Sequence, residues 1–364
     1  MFLCYCIKIM KKGSSKIKSS FWVVFTTLLV FSIFYWVFSG ESFATSLNQN
    51  NKNQTANVIN AKPIGEIKPD YVVITFAGDV MFDRGVKGSV KKNFQGDYNQ
   101  LFDNINGENN NESLFNKDDI SFVNLEGPVS DVGHNVGSIY SFRMDPVVIS
   151  VLKNLGIDIV SFANNHVGDY TSLAFSDTLK RLQDGNILFT GAGENYTDAI
   201  NPRVIEKNNI KTCFIGFSDV GPNWIKATDK NPGILIAQDP NFSKIISDAK
   251  TGCDVLIVSF HWGDEYQKHN SRQEKLAHEA IDSGADIIVG AHPHVAQDVE
   301  IYKDKPIMYS LGNFMFDQYF SQETMGGLVV QLKAYKDGHT SDIKKYNTKQ
   351  NKLFQIESII ENPN

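Results

Sequence analysis

Cysteine is scarce in this chain, with four among 364 residues. So few, at no regular spacing, exclude a disulfide-stapled mini-fold and a structural zinc site built on thiolates. Cys4 and Cys6 precede a long apolar run, while Cys213 and Cys253 fall inside strand-like runs. There the expectation is a pair of small buried apolar side chains rather than a disulfide. Excess positive charge is also missing: 35 basic residues stand against 41 acidic ones, a formal net charge of −6. The overall field therefore gives no support to binding nucleic acid. No internal repeat of fixed period is present, so a repeat architecture is not indicated. Histidine is sparse as well, with eight residues, which makes its placement informative.

Long hydrophobic runs are absent but for one, the uncharged stretch Phe21 to Phe38. Its length matches the roughly 18–20 residues that cross a hydrocarbon core. Lys8, Lys11, Lys12, Lys16 and Lys18 precede it, which keeps the N-terminus cytoplasmic and exports the downstream chain. A signal peptide cut after Ala44 is the rival reading, but signal h-regions run shorter, roughly 7–15 residues. A single-pass cell-membrane protein with an extracytoplasmic main domain is expected. Setting the five leading lysines aside leaves 30 basic against 41 acidic residues, so an anionic substrate needs a local positive site. The expected organisation is a cytoplasmic basic segment (1–20), an anchor (21–38), a polar flexible linker (39–69), one domain (70–336) and a C-terminal tail (337–364).

Within the domain, short apolar runs alternate with amphipathic segments. Strands are expected at Val72–Ala77, Ile120–Asn124, Ile157–Ala163, Ile187–Thr190, Thr212–Phe217, Val255–Phe260 and Ile287–Val289. Most are apolar on both faces, as strands covered by helices are. One helix starts with Asp145 as N-cap and Pro146 at the first position, and closes at Gly156. Another spans Leu173 to Asp184. A third carries a capping box of Ser271 and Glu274 and stops at Gly284. The alternation argues for a layered α/β domain. Late in the chain, "QDVEIYKDKPIMYSLGNFMFD" and "GGLVVQLKAY" read as antiparallel strands, which makes the sheets mixed.

Polar residues gather directly after these apolar runs. Ala77-Gly78 leads to Asp79, Asn124-Leu125 to Glu126, and Phe162-Ala163 to Asn164, Asn165 and His166. Val258-Ser259-Phe260 leads to His261, and Gly290-Ala291 to His292 and His294 around Pro293. Singly, each is an ordinary turn or capping residue. Ligands of open α/β sheets bind beyond the carboxyl ends of the strands, and these ends would deliver carboxylates, amides and imidazoles to one rim. Two imidazoles across one proline can serve neighbouring ions. A donor set of carboxylate, amide and imidazole without thiolate suits Mn²⁺, Fe or Zn²⁺.

The ordered set "TFAGDVM", "VNLEG", "FANNHVGDY", "FHWGDEY", "GAHPHV" and "YSLGNFMFDQ" resembles the CapA/PgsA-type poly-gamma-glutamate capsule biosynthesis proteins over Ile74 to Gln318. These are similar in fold to calcineurin-like metallophosphoesterases, so the resemblance implies a four-layer α/β/β/α sandwich. It also implies two divalent ions. Glu126 would bridge them, with Asn165, His261 and His292 on one and Asp79 and His294 on the other. His166 would protonate the leaving group, with Asp169 orienting it or standing as a plain loop residue. Arg84 either clamps an anionic oxygen or is a surface arginine. Asn164, Asn313 and Asp317 are candidates for lining the cleft, the last two alternatively belonging to a strand and turn. Trp262 and Tyr266 form either an aromatic wall for substrate or core packing. One departure stands out: phosphoesterases open with Asp-x-His, whereas Asp79-Val80-Met81 has a thioether, a poor ligand for a hard cation.

Two function classes are consistent with these residues. One is a membrane-anchored metal-dependent hydrolase of a phosphoester or related bond, acting in assembly or release of an anionic cell-surface polymer. The other is a non-catalytic metal- and polymer-binding scaffold beside membrane-embedded capsule synthesis and export subunits. Neither involves nucleic acid. Amide hydrolysis also falls within dinuclear metal chemistry.

Overall fold

The apolar runs become strands whose side chains alternate between two buried faces. In a computed structural model, residues 69–106, 114–221 and 223–362 are described. The expected basic segment, anchor and nearly all of the linker lie outside those residues. Among the described residues no helix is long and apolar enough to cross a membrane.

In chain order the strands are β1 Tyr71–Val80, β2 Ile120–Leu125, β3 Ile159–Ser161, β4 Leu188–Thr190, β5 Ala192–Gly193, β6 Arg203–Lys207, β7 Ile210–Ser218 and β8 Gly233–Ile234. They continue with β9 Val255–His261, β10 Ile287–Ala291, β11 Val299–Tyr302, β12 Lys305–Met308, β13 Asn313–Met315, β14 Leu328–Tyr335, β15 Thr340–Gln350 and β16 Ile356–Glu361. The main helices are α1 Arg84–Asn93, α2 Val148–Leu155, α3 Thr171–Asp184, α4 Phe242–Lys250 and α5 Ser271–Asp282.

One sheet has the order β16-β15-β14-β1-β2-β3-β4, with β13 lying beside β1. Strands β1 to β4 are parallel, and β14, β15 and β16 extend them antiparallel. The second sheet runs β11-β12-β10-β9-β7-β6, parallel in its centre and antiparallel at both edges. Both sheets are therefore mixed, as expected.

The sheets face each other. Val72, Ile74, Phe76, Ile120, Phe122 and Ile159 of the first meet Ile210, Phe214, Val255, Ile257, Ile287 and Val289 of the second. Phe122 stacks on Phe214 with ring centroids 6.0 Å apart, and Ser259 Oγ donates to Ser161 Oγ at 3.1 Å across the gap. The alternate residues turn outward. Val123 and Val160 meet α1, α2 and α3, while Leu256, Val258 and Phe260 meet α4 and α5. Each of these side chains contributes roughly 1.5–3 kcal/mol by leaving water. The result is a helix, sheet, sheet, helix layering.

Four expectations are corrected. Asp145 does not cap α2, because its carboxylate is taken by Lys87 Nζ at 2.8 Å and Tyr98 Oη at 3.1 Å; Val147 is the N-cap and the helix begins at Val148. Its stop at Gly156, with φ +91°, is as expected. The capping box of α5 is Asn270 with Gln273, not Ser271 with Glu274, since asparagine caps as well as serine. Cys213 and Cys253 form a disulfide, with Cα atoms 5.8 Å apart. The expected tail after 336 is instead β15, paired onto β14, and β16, paired onto β15. Strand β15 is mostly polar because only one of its faces meets the core, so no apolar run announces it.

Candidate metal centre

The carboxyl ends of β1, β2 and β3 in one sheet and of β9 and β10 in the other meet at one cleft. Strand β1 delivers Asp79, fully buried. Gly78 precedes it because a Cβ there would lie 1.9 Å from the Gly312 carbonyl oxygen. Strand β2 delivers Asn124 and, just past its end, Glu126, also fully buried. The turn after β3 supplies Asn165 and His166, β9 ends on His261, and β10 runs into His292-Pro293-His294. His292 has φ +99° and His294 φ +58°, left-handed backbone that is uncommon outside glycine and that collects at functional sites.

The donor atoms converge. One oxygen or nitrogen from each of Asp79, Glu126 and His261 lies within 4.8 Å of the other two, and the same holds for Glu265, His292 and His294. His294 links the sets: its Nδ1 is 3.4 Å from Asp79 Oδ2 and its Nε2 3.6 Å from Glu126 Oε1. Asn124 Nδ2 donates to Asp79 Oδ1 at 2.8 Å and to Glu126 Oε2 at 3.4 Å. His261 Nε2 pairs with Asn165 Oδ1 at 2.8 Å. His166 Nδ1 pairs with Asp169 Oδ2 at 2.8 Å, leaving Nε2 3.9 Å from Glu126 Oε1.

The electrostatics of the cleft suit a cation. Burial raises the Glu126 carboxyl well above its usual range, and Asp79 adds to the rise. Burial holds His261 well below its usual value, helped by the neighbouring histidines, and it lowers His292 to about 4. A neutral His261 that donates from Nε2 presents a bare Nδ1. Burial also opposes charge on His294, but Glu126 and Asp79 outweigh it and lift the group to about 9. Among the described residues, the buried polar atoms without a hydrogen-bond partner include three of this cleft: Glu126 Oε1, His261 Nδ1 and His292 Nδ1. Such orphans cost about 1–3 kcal/mol each when left bare, and a cation would satisfy them. The residues therefore fit a divalent metal.

Other expected site residues have different work. Trp262 is fully buried, stacked on Phe260 at 4.3 Å with its Nε1 donating to Tyr309 O at 2.7 Å, so it is core and not a substrate wall. Asn164 is fully buried and ties Leu125 O (2.8 Å) to His166 N (3.2 Å), bracing the turn rather than facing substrate. Asn313 Oδ1 holds His294 Nδ1 at 2.9 Å from inside the core. Asp317 grips Arg84 through Nε and Nη2, both at 3.0 Å, and Gly85 N at 2.9 Å. Arg84 is thus already neutralised, its guanidinium 5.1 Å over the Phe142 ring. Tyr266 lies at the mouth, 40% exposed, its ring 6.1 Å from His294. Asp169 is buried and also accepts from Phe142 N at 2.8 Å. Met81 contributes no donor to the cleft; it packs with Phe142 and Phe316 in a small apolar cluster.

Sequence reasoning passed over Asn124, Glu265 and Phe142. Asn124 stands inside "VNLEG", two residues before Glu126, where the alternation of β2 puts both on one side. Glu265 stands in "FHWGDEY", in a turn four residues past the end of β9, rather than directly after the apolar run. Phe142 had no sequence signal; it covers the His166 ring at a centroid distance of 4.0 Å.

With this geometry in view, comparison with known proteins is informative. Residues 73–318 match the family model described as bacterial capsule synthesis protein PGA_cap. The chain is 34% identical over 273 residues to the PGA biosynthesis protein CapA of Bacillus subtilis, covering 74% of this chain and 69% of that protein. It is 34% identical over 276 residues to the capsule biosynthesis protein CapA of Bacillus anthracis, covering 73% of this chain and 65% of that one. Among solved structures, a hypothetical protein from Thermus thermophilus aligns with a TM-score of 0.47 at 14% identity, covering 77% of this chain and 100% of that one. The length and identity of the sequence matches establish that this chain belongs to the bacterial capsule synthesis protein family PGA_cap.

Proposed function

We propose that this protein is a membrane-anchored, extracytoplasmic component of poly-gamma-glutamate or related capsule polymer assembly, whose metal centre hydrolyses a phosphoester or related bond. The polymer comes from the relatives named for PGA and capsule biosynthesis. The observation that carries the chemistry is the trio of buried atoms without a hydrogen-bond partner, Glu126 Oε1, His261 Nδ1 and His292 Nδ1, at the ends of strands from both sheets. The Cys213–Cys253 disulfide supports an oxidising compartment. The acidic balance of the chain argues for the same centre, since a polyanion approaches such a surface only where cations neutralise it.

Divalent ions held by Asp79, Glu126, Asn165, His261, His292 and His294 would polarise phosphoryl oxygens and activate water near neutral pH. The protein's own groups do the rest. Asp169 holds the Nδ1 proton of His166, so Nε2 is the nitrogen that meets substrate. A proton carried at Nε2 can pass to a departing oxygen, and Asp169 stabilises the imidazolium before transfer. Phe142 excludes water from one face of that ring. Tyr266 offers an aromatic edge at the mouth, and membrane-embedded synthesis or export subunits are the partners that such a setting implies.

One observation favours a second reading, a metal- and polymer-binding scaffold without turnover: Met81 contributes no donor, so the Asp79 and His294 position has few ligands. The full chain, purified in detergent and loaded with Mn²⁺, should be assayed on p-nitrophenyl phosphate esters and on polyglutamate. Turnover that disappears in His166→Ala while metal content persists is the expected result. Full metal occupancy without turnover on either substrate would favour the scaffold, and absence of bound metal would defeat both.

A further inference from the structure

The turn after β9 is fastened to the His292-Pro293-His294 turn. Gly263 has φ +82° and Tyr266 φ +60°, which folds the chain back sharply, and Tyr266 N donates to Pro293 O at 2.8 Å. Between them stand two carboxylates with different surroundings. Asp264 is tied to Asn270 Nδ2 at 2.8 Å, at the start of α5. Glu265 instead faces the histidines, with ligand atoms of Glu265, His292 and His294 all within 4.8 Å of one another. Arg84, stacked over the Phe142 ring, is engaged with Asp317. Glu265 therefore adds a third carboxylate to a cleft that already buries Asp79 and Glu126.

A second, independent observation points to a ligand. His292 is buried, 7% exposed, and its Nδ1 has no partner in the protein. His294 is aimed by Asn313 toward the same space. With metal–ligand bonds of about 2.1 Å in a tetrahedral arrangement, donors around an ion stand about 3.4 Å apart. Glu265 is exposed, so its side chain can close the remaining gap, at most about 1.4 Å, by a change of rotamer.

We infer that Glu265 is a metal ligand, completing with His292 and His294 a divalent-cation site at the mouth of the cleft. Two imidazoles and one carboxylate suit Zn²⁺, Mn²⁺ or Fe²⁺. The carboxylate comes from a turn outside the sheets, so this site is assembled from the solvent side, whereas Asp79, Glu126 and His261 are fixed inside. The inference rests on the reading that the cleft holds divalent ions, and it groups His294 with His292 rather than with Asp79.

The test uses the full chain in detergent, stripped of metal and titrated calorimetrically with Mn²⁺, with metal content measured after dialysis. Glu265→Gln is expected to weaken one ion roughly tenfold or more while the ion dependent on His261 keeps its affinity. The visible absorption of the Co²⁺-loaded protein should change in the same variant, a signal that a merely structural role would not move. Because Glu265 is exposed, the melting temperature of the metal-free variant should equal that of wild type. Unchanged Mn²⁺ stoichiometry and affinity in Glu265→Gln overturn this inference alone. Absence of Mn²⁺ binding in wild type overturns it together with the functional reading beneath it.

Discussion

His166 and Asp169 form a 2.8 Å hydrogen bond through Nδ1 and Oδ2, and that bond turns the second imidazole nitrogen toward Glu126, 3.9 Å away. Asp169 is itself fixed by Phe142 N at 2.8 Å, so the orientation of the ring is set by the backbone of another loop. Asp169 is accordingly a positioning residue. In Asp169→Asn the amide can still fill the space but no longer stabilises the imidazolium. On a p-nitrophenyl phosphate ester, kcat is expected to fall about 100-fold, with KM and Mn²⁺ content nearly unchanged. Loss of metal along with activity would show that Asp169 supports the fold of the site instead.

The Cys213–Cys253 disulfide closes a sequence separation of 40 residues between β7 and the turn after α4. Chain-entropy reasoning assigns such a loop about 4 kcal/mol. Cys253→Ser is expected to lower stability in urea by an amount of that order, and the loss should be reproduced by reductant on wild type. Peptide mapping without reduction provides the direct check: peptides carrying Cys213 and Cys253 should travel as one species. Finding them separate would remove the bond from the account.

Asp118, ahead of β2, is pushed up to about 7 because burial opposes its charge more than Ser121 Oγ, donating at 2.8 Å, favours it. The unfolded chain releases this proton at an ordinary carboxylate value of about 4. Between these two values the folded state binds the extra proton, so the Asp118 contribution to stability falls as pH rises from about 4 to 7 and is level above. Asp118→Asn should remove that slope. Denaturation midpoints of wild type and variant at pH 5 and pH 8 check it, the gap between them widening in the variant's favour at the higher pH. A constant gap would mean that Asp118 titrates normally.

Much of the cleft was legible because Asp79, Glu126, His261 and His292 each come after a run of β-forming apolar residues, and parallel strands put such ends on one rim. Roles were harder to read than positions. Trp262 stands directly after His261, yet strand alternation sends the two side chains to opposite faces, one to the cleft and one beneath α5. From sequence, Asn313 and Asp317 fit either a cleft lining or a strand and turn; Asn313 opens β13, and the two side chains hold His294 and Arg84, because polar atoms buried so deeply must find protein partners. The antiparallel extension β15–β16 was illegible for a different reason. Its strands gain stability from backbone pairing, β15 onto β14 and β16 onto β15, with one face in solvent, and a search for apolar runs does not register that. The pairing of Cys213 with Cys253 was likewise hidden, since it depends on the end of α4 returning beside β7.

The left-handed backbone at His292 and His294 has a consequence for how this cleft can vary. The rings, 6.0 Å apart between centroids, are spaced by a covalent jig of three residues rather than by the fit of one layer against another. Drift in the sandwich therefore leaves their separation untouched, and surrounding loops are free to reshape the opening around a fixed ruler.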